Sequence, residues 1–353
     1  MVSPSRNESV LGDQLSATLR SLGLHERPIL GGNHRAIVAD RFFDNIERLN
    51  AGRIPGGTLS LSERDNLLAS INNLNRFDAA QNLTARSISA RKDDGGSMEL
   101  VLVSEHPDEN EFTFAREVQA AEVGHRYDFI IFLNGIPYIH IELKGRGVGT
   151  TSALEQFERY NKNPPGGLFN FTLLLVASDD TQTEYIINNA VRGVRDVARW
   201  ANHENKKYLK LDAFAESFLN PSFMQEYFRY GILVSPDEKK VYALRPYQYH
   251  ALVSAIRKME RSLTSNNEDN SLNSWAFHSP GAGKTMTGYA VARQAAAKKN
   301  RDGDSHYRKV FVVSDRIAID EQWTTEHSRF TIDGVGAARP ESSAELARCV
   351  QSN

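Results

Sequence analysis

The sequence is short of cysteine. Cys349 is alone among 353 residues, which excludes an intrachain disulfide framework and fits a reducing compartment. No apolar run approaches the ~20 residues that a membrane helix needs. The start, MVSPSRNESVLGDQ, lacks a basic stretch followed by an apolar one, so it does not read as a secretory signal. A soluble cytoplasmic protein is expected. Net charge is also lacking: 42 Lys and Arg against 44 Asp and Glu leave −2, so nucleic acid could be bound only through a local patch. What is present is an ordinary globular mix, 40% hydrophobic and 24% charged, over a length that allows two or three domains.

Apolar residues at helical spacing (Val10, Leu11, Leu15, Leu19, Leu22) predict a helix over 9–22 that stops at Gly23. Further helices are expected over 39–49 and 61–74. From Asn82 the period shifts towards two, with strands expected over 98–103 and 112–118. A helix over 152–161 precedes FTLLLVA (171–177), which reads as a strand buried on both faces. Helices follow over 192–201, 211–218 and 221–230. The polar run Ser235 to Lys240 marks a boundary, giving domains 1–235 and 236–353. In the second, a helix from Leu244 to about 263 leads through a polar loop to a short strand (275–279). A glycine loop (280–283), a helix (284–299) and a buried strand (309–314) come next. That order indicates an open parallel α/β sheet.

Chemistry concentrates in Arg126 to Tyr160. Asp128 heads one apolar run, Asn134-Gly135 marks a turn, and a second apolar run ends in Glu142-Leu143-Lys144. Strand side chains alternate faces, so register decides whether the two carboxylates can meet. With a strict two-residue turn, Asp128 would pair with Ile141 and Glu142 would point away. The connection must therefore be odd in length or bulged, and a three-residue loop with Gly135 left-handed and a bulge is expected. In that register Asp128, Tyr138, His140, Glu142 and Lys144 share one face. Phe129, Ile131, Leu133, Ile139, Ile141 and Leu143, all apolar, share the other.

Two adjacent carboxylates repel unless a cation lies between them, and Mg2+ suits hard oxygen ligands. The metal would activate a water and stabilise charge on a phosphodiester. Lys144 could orient that water, deprotonate it or stabilise the charge. Gln156 and Tyr160, four residues apart, share a helix face and could contact the lysine, the water or the DNA backbone. A supporting role is expected for His140, and His125 is left unassigned. Taken alone, Glu-x-Lys occurs by chance about once in a few hundred residues, and such a pair otherwise reads as a solvated strand end. It is the combination with Asp128, the matching faces and Gln156 to Tyr160 that argues for a site.

This stretch resembles the PD-(D/E)xK nuclease domain in the restriction subunit of type I restriction–modification enzymes. The resemblance is carried by Arg126-Tyr127-Asp128, Asn134-Gly135, Glu142-Leu143-Lys144 and Gln156 with Tyr160. Tyr127 stands where the family commonly has proline. The resemblance implies metal-dependent cleavage of double-stranded DNA on a restriction-endonuclease-like mixed sheet flanked by helices.

A second motif, His278-Ser-Pro-Gly-Ala-Gly-Lys-Thr285, joins an expected strand to an expected helix. Backbone N–H groups of Gly281, Ala282 and Gly283 and the helix N-terminus could cradle phosphates. Lys284 would reach the β and γ phosphates of ATP and Thr285 would ligate Mg2+. His278 replaces the usual first glycine, a relaxed form that resembles motif I of superfamily 2 helicases and translocases. A plain glycine turn before a helix is the bland alternative. Arg245-Pro-Tyr-Gln248 resembles the adenine-reading motif of these motors, with Gln248 offering donor and acceptor to the base. Val312 to Arg316 resembles a backbone-contacting motif, making Arg316 a DNA-contact candidate, or otherwise a solvated loop charge.

A motor also needs a later strand ending in Asp-Glu. Asp320-Glu321 comes too early in a helical segment. The resemblance thus implies the N-terminal part of a larger restriction subunit, with an incomplete RecA-like P-loop lobe and little or no ATP turnover. The full subunit would translocate DNA using ATP and cut it, in complex with modification (methyltransferase) and specificity subunits. Two other readings stay open: a repair-type helicase–nuclease acting on DNA ends, and a catalytically degenerate DNA-binding or assembly module. Circular against linear DNA separates the first, and Glu142→Ala the second.

Overall fold

The structure is a computed structural model that describes residues 4–29, 34–120, 123–189, 197–264, 276–299, 305–314, 321, 323–325, 330 and 339–351. The chain divides into two compact units, Met1–Ile232 and Leu233–Asn353.

The first unit opens with α1 (Pro4–Ser21), β1 (His25–Glu26) and α2 (His34–Leu49). α3 (Leu61–Asn73) starts on a capping box, the Ser60 side chain accepting from Glu63 N while Glu63 accepts from Ser60 N. α4 (Arg76–Ala85) is a helix where period-two spacing had been expected from Asn82. It is capped by Asn75 and ended by Arg86 in the left-handed region. β2 (Ser87–Arg91) and β3 (Ser97–Val101) form a separate antiparallel hairpin.

The main sheet contains β4 (Phe112–Ala120), β5 (His125–Leu133), β6 (Ile136–Leu143), β7 (Leu174–Ser178) and β8 (Thr183–Ile187), with β1 at its edge. Its order is β1-β4-β5-β6-β7-β8. β1 with β4 and β6 with β7 run parallel; the other pairs are antiparallel. The molecule is thus mixed α/β, with β5 and β6 at the centre of a six-stranded sheet. Every residue of β6 is buried. α5 (Thr151–Lys162) makes the crossover from β6 to β7, and its Ala153, Leu154 and Phe157 pack on Leu175 and Ala177. The Leu and Phe side chains among these contribute roughly 1.5–3 kcal/mol each when fully buried. The expected strand 171–177 begins later, because Gly167–Phe171 forms a 3-10 turn.

The β5–β6 connection corrects the expected loop. Leu133 pairs with Ile136, so Asn134-Gly135 is a two-residue turn, with both residues at positive φ (51° and 75°) as a type I′ turn demands. The odd residue lies inside the strand instead. Phe132 pairs with Pro137 but Ile131 pairs with Ile139, leaving Tyr138 as a bulge. Pro137 has no N–H to give the ladder, so a central strand tolerates it only at such an irregularity. From Ile139 onward the register is the one the site requires: Phe129 faces Ile141, and Asp128 therefore stands opposite Glu142.

The helix expected over 192–201 is not found in its described part. Ala198 bridges Tyr185 and Ala201 bridges Lys207, so this segment adds to the sheet edge, while 190–196 lie outside the described residues. α6 (Leu211–Phe218) and α7 (Pro221–Tyr230) complete the unit.

The second unit holds a two-stranded sheet of β9 (Ile232–Ser235) and β10 (Lys240–Ala243), then α8 (Pro246–Thr264) packed on α9 (Lys284–Ala297). The expected parallel α/β sheet is absent among the described residues. Residues 276–279 and 309–314 carry no strand, and Val313, expected to be buried, is 91% exposed. A strand buried on both faces needs a ladder neighbour on each side, and neither segment has one among the described residues. The polar loop 265–274 lies outside them.

Candidate active site

The two-residue turn is anchored deep in the first unit. Asn134 is fully buried; its Oδ1 accepts from Glu111 N (2.8 Å) and its Nδ2 donates to Leu102 O (3.0 Å) and Asn110 Oδ1 (2.8 Å). A Cβ on Gly135 would stand 2.5 Å from Arg41 O, so only glycine fits against α2. With the turn fixed and the bulge taking up one residue, Asp128, His140 and Glu142 come to one face at the sheet centre.

Glu142 is 0% exposed and its two oxygens are separately engaged. His140 Nε2 lies 2.7 Å from Oε1, and Gln156 Nε2 donates to Oε2 at 2.7 Å. Asp128 Oδ2 accepts from Leu143 N at 2.9 Å. Lys144 Nζ stands 3.9 Å from Glu142 Oε2 and donates to Gln156 Oε1 at 2.9 Å. Gln156 also donates to Tyr160 Oη (2.6 Å), which donates to Arg126 O (2.7 Å). Glu142, Lys144, Gln156 and Tyr160 are therefore one hydrogen-bonded set with Gln156 at its hub, and Asp128 joins it through the Leu143 backbone.

Burial pushes both carboxyls up. Asp128 rises through desolvation and then the neighbouring Glu142 charge; Glu142 rises through desolvation, opposed by Lys144. His140 moves the other way, to about 3, because burial disfavours the imidazolium. Neutral at working pH, it can donate Nε2–H to an ionised Glu142. Tyr127, in place of the family's proline, is buried edge-on to His140 with ring centroids 4.4 Å apart. His125, unassigned from sequence, stacks on Tyr160 at 4.2 Å.

The donor set can be tested against magnesium. Among the described residues no group of three or more His, Cys, Asp or Glu side chains is arranged to hold a metal. Two adjacent carboxylates with raised proton affinity are what remains. Such a pair gains from a cation, and it suits one that keeps several of its waters. One acidic contact was missed: Gly145 N donates to Glu8 Oε1 at 3.2 Å, which ties α1 to the backbone just after Lys144. Nothing in the local pattern of Glu8 distinguishes it from other helix-surface acids. Asp179 was also missed: Ser178-Asp179-Asp180 after a buried strand reads as a turn, but that pattern does not show what the turn holds.

In the second unit, Gly281 and Gly283 have φ of 73° and 74° ahead of α9. Lys284 Nζ folds back onto His278 O and Ser279 O, both at 3.1 Å. Gln248 is buried; its Oε1 accepts from Arg245 N (2.9 Å) and its Nε2 reaches Ala282 O and Gly283 O (3.3 Å each). Here it braces the glycine loop. The Arg245 side chain is exposed and Thr285 half-buried beside the loop, while Arg316 lies outside the described residues.

The family model described as "Type I restriction enzyme R protein N terminus" matches residues 18–193. The model described as "Type III restriction enzyme, res subunit" matches 241–345. A type I restriction enzyme endonuclease subunit of Staphylococcus saprophyticus is 27% identical over 345 residues, 97% of this chain and 35% of that protein. The type I restriction enzyme EcoprrI endonuclease subunit of Escherichia coli is 32% identical over 154 residues, covering 42% and 49%. A putative one from Methanocaldococcus jannaschii is 30% identical over 213 residues, covering 56% and 19%. The chain spans about a third of the length of the staphylococcal relatives.

Proposed function

The chain belongs to the restriction-subunit family of type I restriction enzymes, through residues 18–193, and from that premise we propose that its first unit is a magnesium-dependent DNA endonuclease. The observation that carries this is the meeting of Asp128 and Glu142 on adjacent central strands, with Lys144 held at their rim by Gln156. Asp128 and Glu142 would hold the metal, which supplies Lewis-acid stabilisation of the phosphodiester and an activated water when bound. His140 holds one oxygen of Glu142 and keeps that carboxylate oriented. Gln156 holds Lys144 Nζ beside Glu142, and the ammonium would stabilise the developing phosphoryl charge. Tyr160, fixed on Arg126 O, keeps the α5 face in contact with β5.

The whole subunit would bind ATP at the loop before α9, with Lys284 and Thr285 on the phosphates and Mg2+, and translocate double-stranded DNA before cutting it. It would work with modification and specificity subunits in the cytoplasm. The test is cleavage of supercoiled plasmid by the 353-residue chain with Mg2+. Glu142→Ala is expected to lower the rate at least ~10³-fold, of the order seen when a central electrostatic group is lost, with folding retained by circular dichroism. Unchanged cleavage by that variant would overturn the nuclease reading.

A further inference from the structure

The segment Lys144 to Thr150 joins the strand that ends at the lysine to the helix that carries Gln156 and Tyr160. Three of its seven residues are glycine. Gly147 and Gly149 have φ of 78° and 92°, with open space where a side chain would be. Such a segment has wide conformational freedom, and by itself would leave the separation of Lys144 and Gln156 undetermined.

The β7–β8 turn removes that freedom. Lys144 N donates to Ser178 O (2.8 Å), Gly147 N to Asp179 O (3.3 Å) and Gly149 N to Asp179 Oδ2 (2.7 Å). The other carboxylate oxygen, Oδ1, accepts from Thr181 N (3.0 Å), Thr181 Oγ1 (2.8 Å) and Gln182 N (2.9 Å). Asp179 is 1% exposed. One oxygen thus builds its own turn and the other grips the segment. Thr150, at the N-cap of α5, makes no side-chain cap bond. Its hydroxyl donates to Glu184 Oε2 on β8, and Arg199 Nε holds Glu184 Oε1 at 2.9 Å. Helix α5 is hung from the β7–β8 hairpin at its N-cap.

We propose that Asp179 is a positioning residue of the nuclease site. By holding Gly149 N it sets where α5 begins, and so where Gln156 meets Lys144 and Glu142. A purely structural aspartate would need only its Oδ1 bonds; the Oδ2 bond serves the segment alone. The inference rests on the nuclease reading for its catalytic consequence, and on the hydrogen bonds for its geometric one.

The test is Asp179→Asn in the full chain. Asparagine keeps the volume and the Oδ1 acceptor but presents an NH2 that cannot accept from Gly149. In metal-free hydrogen exchange, amides over 147–154 are expected to exchange at least ~10-fold faster, with β5 and β6 unchanged. In plasmid cleavage at saturating Mg2+, kcat is expected to fall ~10–100-fold with KM within about twofold. In a Gln156→Ala background the same change is expected to cost less than about threefold, because both act on one contact. Unaltered exchange, an unaltered kcat, or losses that multiply in the double variant would each overturn the proposal. A wild-type chain that does not cut DNA would sink the nuclease reading instead, while exchange still decides the positioning. If Asp179→Asn does not fold, Asp179→Glu, which displaces the carboxylate by one methylene, is read in the same way.

Discussion

Glu142 is fully buried, is engaged at both oxygens and still binds its proton more tightly than an ordinary carboxylate, at about 7. Between the ordinary range and about 7, the folded chain keeps a proton that the unfolded chain has released. Stability therefore falls as pH rises through that window, by on the order of 3 kcal/mol in the absence of metal. Glu142→Gln removes the titration and is expected to raise Tm at pH 8 in EDTA, with the gain fading towards pH 4; a thermal melt series across pH checks it. Gln156→Ala breaks the bridge from Lys144 to Glu142 and Tyr160. It is expected to slow cleavage ~10–100-fold, as the loss of a positioning contact does, with thermal stability within a few degrees. From the sequence Asp128, Glu142, Lys144, Gln156 and Tyr160 were legible because their spacing follows strand and helix periods. Glu8, Asp179 and Glu184 were not, because each reaches the site through contacts between segments far apart in the chain.

The β5–β6 hairpin shows how an element's detail decides whether chemistry is possible. An even turn with no bulge would send Glu142 to the opposite face; the Tyr138 bulge returns it. Pro137 was the available signal, since a proline in a central strand asks for an irregularity beside it. Gly135→Ala is expected to cost roughly 2–4 kcal/mol, since it adds strain at positive φ and a clash with the α2 backbone. Urea denaturation measures it, and an unchanged midpoint would contradict the packing described. Sequence periodicity missed α4, whose apolar face is short, and it mistook the bridged segment at Ala198 for helix.

For the whole molecule, a cation that binds the carboxylate pair must stabilise the fold by mass action, about 2.7 kcal/mol at a hundredfold excess over Kd. Mg2+ or Ca2+ is expected to raise Tm of the wild-type chain and not of Glu142→Gln. In the second unit, Lys284 is turned onto the carbonyls of its own loop. The 353-residue chain is accordingly expected to release no measurable phosphate from ATP; turnover abolished by Lys284→Ala would contradict this. No helix among the described residues is long and apolar enough to cross a membrane. The sequence by itself determined the mixed α/β character, the family and the inventory of the site, because periodicity, turn chemistry and motif spacing are local properties. Only the tertiary structure decided which carboxylate oxygen each partner takes, and that a glycine-rich segment is held by the β7–β8 turn. Those depend on packing between segments far apart in the chain, which local pattern does not encode.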